Sequence, residues 1–63
     1  MYKIVLVRNK YDVVSVEDTL MDARKFVVDY SEKCASKLFD VGTDGWHELV
    51  NGILESLMVV EVR

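Results

Sequence analysis

The spacing of apolar residues changes character along this chain, and each change marks an expected element. Tyr2 to Arg8 reads YKIVLVR, a β-branched and apolar run that predicts a first strand. Asn9-Lys10 follows, and asparagine tolerates the left-handed backbone of tight hairpin turns. Asp12 to Glu17, DVVSVE, then alternates with Val14 and Val16 on one face, which predicts a second strand joined to the first as a hairpin.

At Thr19 the period becomes helical. Thr-Leu-Met-Asp sets a hydroxyl at the cap and an acid three residues on, a capping-box pattern with Asp in place of the usual Glu. Leu20, Ala23, Val27, Tyr30, Cys34, Leu38 and Val41 recur every three or four residues as one stripe. Met21, Val28, Ala35 and Phe39 make a second stripe that the next helix is expected to cover. Acids Asp18 and Asp22 near the start, with Lys33 and Lys37 near the end, complement the helix dipole.

The loop Asp40–Gly45, DVGTDG, closes this helix and opens another, with Gly42 suited to a left-handed terminator and Thr43 or Asp44 to a cap. Trp46, Leu49, Val50, Ile53, Leu54 and Leu57 keep helical spacing. Asn51-Gly52 usually marks a turn, and a rival reading runs a strand from Ile53. The unbroken helical spacing outweighs one glycine costing about 1 kcal/mol, so the helix is expected to run through. Met58 to Arg63, MVVEVR, alternates again as a third strand.

The expected fold is therefore α+β in one domain, residues 1 to 63, with the order β-β-α-α-β. A three-stranded antiparallel-type sheet carries both helices on one face, with the third strand beside the first. Two helices cover only one side of such a sheet. With Ile4, Leu6, Val14, Val16, Val60 and Val62 toward the helices, Val5, Val7, Val13 and Val59 point the other way. That leaves an apolar centre bordered by Lys3, Ser15 and Glu61, and a contiguous exposed apolar patch commonly marks an interface. Trp46 is expected to anchor the second helix against the sheet.

Length sharpens this picture. Sixty-three residues bury only about 60% of the surface exposed in the unfolded chain, so extra stabilisation is wanted. With one cysteine, Cys34, and one histidine, His47, neither a disulfide nor a metal is the expected source, and self-association is. A homodimer through the sheet face is the expected form. The chain has no proline, no low-complexity stretch and no apolar run near the ~18 residues of a membrane span, and its single cysteine suits a reducing compartment. The apolar start is too short for a signal-peptide core, so a cytoplasmic location away from membranes is expected.

Charge is unevenly placed. Residues 1 to 37 hold seven bases and six acids, whereas Leu38 to Val62 hold five acids and no base. Asp40, Asp44, Glu48 and Glu55 are therefore candidates to meet a basic surface on another protein. Lys3, Arg8 and Lys10 lie on the expected hairpin, with Tyr2 and Tyr11 nearby. Aromatics interleaved with bases could stack single-stranded nucleic acid, which is the alternative reading, disfavoured by the overall charge of −3.

Candidate chemistry is sparse. Cys34 falls on an apolar stripe and His47 near a helix start, so a thiol–imidazole dyad is not expected. Asp44, His47 and Glu48 do not have the spacing of a four-ligand metal site, and DVGTDG lacks the alternating ligands of a calcium loop and the lysine of a phosphate loop. No cofactor, metal or catalytic residue is expected. The expectation is a small non-enzymatic module that binds, and inhibits or modulates, a larger cytosolic protein. Viral accessory proteins and antitoxin-like inhibitors have a similar makeup by class analogy.

Overall fold

The computed structural model describes residues 1–62, and its elements follow in the order β1 (Tyr2–Leu6), β2 (Asn9–Glu17), α1 (Leu20–Ser36), α2 (Asp44–Ser56) and β3 (Leu57–Glu61). The three strands form one antiparallel sheet in the order β2-β1-β3, which is the expected α+β architecture. Arg63, the last residue of the expected third strand, lies outside the described residues.

The hairpin turns two residues earlier than its sequence suggests. β1 ends at Leu6, which pairs with Asn9, and Val7-Arg8 form the turn. Among the described residues only glycine has positive φ, so Asn9 does not act through left-handed backbone. It acts through its side chain, whose Oδ1 accepts from the Tyr11 amide (3.1 Å) and whose Nδ2 donates to Asp12 (3.1 Å). These bonds brace residues 9 to 12 at the start of β2, where 10 to 12 have no partner on β1.

Helix α1 begins where expected, with Thr19 Oγ1 accepting from the Asp22 amide at 3.1 Å. It ends early, at Ser36. Leu38 and Phe39 donate back to the Ala35 carbonyl at 3.1 and 3.0 Å, and Lys37 to Cys34, which tightens the last turn and lets the chain leave. Leu38 and Val41 consequently lie in the loop and are exposed, not part of the α1 stripe. Gly42 takes the expected left-handed conformation (φ +86°) but does not terminate α1, whose C-cap is Lys37 in right-handed helical backbone. Thr43 caps α2, accepting from the Trp46 amide at 3.4 Å. Helix α2 runs unbroken through Asn51-Gly52, because its apolar face is held while Gly52 sits on the exposed side with open space around it.

Two buried clusters hold these elements. At the sheet, Ile4, Ala23 and Leu57 are buried, with Phe26, Val27, Val14, Ile53 and Val59 packed against them. At the far end of the helical hairpin, Ala35, Trp46 and Val50 form a separate cluster with Leu49 and Leu54. Trp46 thus anchors α2 against α1, not against the sheet as its sequence position suggested. Its indole Nε1 donates to Ser36 Oγ at 3.0 Å. The small residues Ala23, Ser31 and Ala35 are the fully buried ones on α1. Ser31 satisfies its hydroxyl on the Val28 carbonyl at 2.8 Å.

The helical hairpin overhangs the sheet, and the molecule is long for its size. Its radius of gyration is 12.1 Å, against about 10.6 Å for a compact chain of this length. The principal extents are 39 × 23 × 14 Å.

Candidate interaction surface

Directly opposed residues of an antiparallel pair project to the same side of the sheet, so register assigns every side chain to a face. In the β1–β3 pair Ile4 opposes Val59 and Leu6 opposes Leu57, while Lys3 opposes Val60 and Val5 opposes Met58. Ile4, Leu57 and Val59 belong to the sheet-side core, so this is the helix-facing set. Val59 was expected on the open face and lies on the helix side. Val60 and Val62 were expected beneath the helices and lie on the open face. The alternation of MVVEVR was legible, but its phase is set by Leu57, the first residue after α2, which is buried in the core.

On β2 a bulge decides the faces. Ile4 opposes Ser15 and Val5 opposes Val13, so Val14 is an extra residue between them. Val14 packs into the core as expected. One inserted residue reverses the alternation, so Val16 opposes Lys3 and joins the open face instead of following Val14 inward.

The open face therefore carries Val5, Val7, Val13, Val16, Met58, Val60 and Val62, with Lys3 as the charged group among them. Three of the four residues expected there are present: Val5 at the centre, Val13 opposite it, and Val7 just beyond β1. The amide of Val7 continues the ladder by donating to the Ser56 carbonyl at 2.8 Å. Val7, Val13, Val16 and Val62 are exposed large apolar residues, whereas Val5 is 0% exposed. The centre of the patch is thus a floor, and a partner would touch the valines around it.

The acidic candidates lie on the helix layer. Asp44, Glu48 and Glu55 occupy α2 positions that fall within one narrow stripe at 3.6 residues per turn, turned away from the buried Trp46 and Val50, and all three are exposed. Asp40 is exposed in the preceding loop and lines an open concavity of about 460 Å³ with Lys37, Phe39 and Thr43. Gly45 is needed beside this loop, since a Cβ there would stand 2.7 Å from the Phe39 ring.

The basic candidates are dispersed. Lys3 is half-buried on the open face, Arg8 is in the turn, and Lys10 is exposed at the start of β2. Tyr2 packs on the sheet-side core and is not free to stack on a base, whereas Tyr11 is 95% exposed. Cys34 and His47 have different neighbours. His47 stands edge-on to the Trp46 ring at 5.0 Å. Cys34 lies beside Tyr30 and raises the phenol's pKa, first by thiolate repulsion, then with burial and a side-chain hydrogen bond that favours the protonated phenol. Among the described residues no group of three His, Cys, Asp or Glu side chains is arranged to hold a metal ion, and no helix is long and apolar enough to cross a membrane.

Comparison with known protein families, with curated proteins and with solved structures finds no match to any of them.

Proposed function

We propose that this chain is a non-enzymatic interaction module that binds a larger cytosolic protein through the open face of its sheet and thereby inhibits or modulates it. The observation that carries the reading is that face: seven apolar residues and one lysine on the side of the sheet opposite the helices. Contiguous exposed apolar surface commonly marks an interaction site. The acidic stripe of Asp44, Glu48 and Glu55, with Asp40 nearby, supplies a second feature that a basic partner surface would recognise and that would steer encounter.

Capture from nuclease-treated cytosol, with charge variants as internal controls, tests the reading. Val13→Lys/Val16→Lys places charges on exposed positions of the open face without entering the core. Val5 and Val59 are unsuitable for this purpose, one being fully buried and the other packed under the helices. One protein captured in stoichiometric amount by the native chain, lost with the valine variant and weakened by Glu48→Lys/Glu55→Lys, is the expected result. Capture that survives the valine variant would remove the open face from the interaction. Recovery of nucleic acid alone, sensitive to salt and to Arg8→Ala/Lys10→Ala, would transfer the function to the basic hairpin.

A further inference from the structure

The two edges of the sheet are built in opposite ways. β2 has the features that keep an edge from pairing: its register against β1 shifts twice, residues 10 to 12 have no partner on β1, and it carries Lys10, Asp12 and Glu17. β3 has no register shift against β1 and fewer charges. It pairs with β1 in unbroken register over all five residues, Leu-Met-Val-Val-Glu, with Glu61 its single charge.

The backbone of β3 is also oriented for a further strand. Val62 donates to the Met1 carbonyl and Val7 to the Ser56 carbonyl, each at 2.8 Å, which fixes the alternation of the β1–β3 ladder. Residues 56, 58, 60 and 62 direct their amides and carbonyls toward β1, so those of Leu57, Val59 and Glu61 point to the outer edge. The Leu57 amide is occupied by the Leu54 carbonyl at the end of α2. The amides of Val59 and Glu61 and the carbonyls of Leu57, Val59 and Glu61 face outward with no neighbouring strand.

From this we infer that β3 pairs with β3 of a second copy, antiparallel about a two-fold axis at Val59. In that register Val59 opposes Val59, and Leu57 opposes Glu61 of the second copy. Every outward amide finds a carbonyl: Val59 exchanges bonds with its counterpart, and each Glu61 amide donates to a Leu57 carbonyl. Centring at Val59 overlaps the full strand and keeps the two Glu61 carboxylates four positions apart, whereas centring at Val60 would set them diagonally adjacent. The occupant is a second copy because the edge is complementary to itself under this rotation. The assembly closes at two, since the outermost edges of the resulting six-stranded sheet are both β2, bulged and charged.

On the open face Met58 of one copy lies beside Val60 of the other, so two valine faces join into one continuous apolar platform. This relocates self-association from the face to the edge and leaves the face free for a larger partner. It does not depend on that partner, and its test reads the backbone, not capture.

The test combines mass in solution with amide exchange. A mass twice that of the chain is expected at high concentration, falling to monomer on dilution. The Val59 and Glu61 amides should be protected in the dimer and exchange freely in the monomer, while those of Met58 and Val60 stay protected in both. Glu61→Pro deletes an outward donor in each copy without touching the ladder to β1, and should weaken dimerisation by roughly tenfold or more. Val13→Lys, on the open face and distant from the β3 edge in register, should leave the dimer intact. A protein monomeric at every concentration would overturn the inference. So would a dimer in which Val59 and Glu61 exchange freely, or one abolished by Val13→Lys but not by Glu61→Pro, which is the signature of face-to-face packing.

Discussion

The sheet-side core and the core at the end of the helical hairpin do the same job by different means. Ile4, Ala23 and Leu57 come from β1, α1 and β3, and side chains of β2 and α2 surround them. None of them is aromatic, and closing the cluster requires the two ends of the chain to meet. Ala35, Trp46 and Val50 come from two consecutive helices, and one aromatic supplies most of the volume. The first core is distributed and non-local, the second concentrated and local. A chain of this length has roughly 3–9 kcal/mol of total stability, so the loss of either is serious, but the ways they fail should differ.

The largest effect is expected from Trp46→Ala. It empties the hairpin cluster and removes the indole bond to Ser36, and should cost about 3–5 kcal/mol in urea unfolding. Amide exchange should accelerate first in the second half of α1 and the first half of α2, with β1 still protected. Equal acceleration throughout would mean that the two clusters form a single cooperative core. Ile4→Val makes the complementary cut at the sheet, removing one methylene from the distributed core. It should cost about 0.5–1.5 kcal/mol, with protection falling in every element together.

Gly52→Ala has the opposite sign. The position is helical and exposed, with open space where the new Cβ would stand, so the thermal midpoint should rise by the equivalent of about 0.5–1 kcal/mol. A fall would show that Gly52 is required in α2 for a reason other than helix propensity.

The smallest effect is on pH dependence. Because the folded Tyr30 phenol holds its proton more tightly than the free group, with its ordinary value of 10.0, the associated stability is fully present below that pH. It is lost as pH rises through the raised folded value. Cys34→Ser removes the thiolate that is the main cause, so phenolate absorbance should appear at lower pH in the variant than in the native protein. An unchanged titration would mean that burial, not Cys34, governs Tyr30.

Much of this molecule is decided within short stretches of sequence. Thr19 and Thr43 cap their helices because each hydroxyl needs only an amide three residues away. Gly42 turns the chain ahead of the Thr43 cap through a conformation that glycine adopts at little cost. The spacing from Trp46 to Leu54 carries α2 past Asn51-Gly52, and the order β-β-α-α-β follows from these local periods. An apolar surplus on the sheet was legible too, since two helices cannot cover both sides.

Which residues form that surplus was not legible, and the reason is parity. An alternating strand names two sets of side chains but not which set faces the core. On β3 that choice came from burial of Leu57 beside Ile4 and Ala23, a contact between residues far apart in sequence, and it sent Val59 inward and Val60 outward. On β2 it came from one extra residue at Val14, which turned Val16 to the opposite side from its apparent partner. The exposed edge of β3 has the same origin: local pattern makes a strand, and only its pairing with β1 determines which amides are left over. Sequence alone set the order of the elements and the two threonine N-caps. The faces and edges through which they can meet another molecule were set by long-range register, where a shift of one residue reverses every assignment.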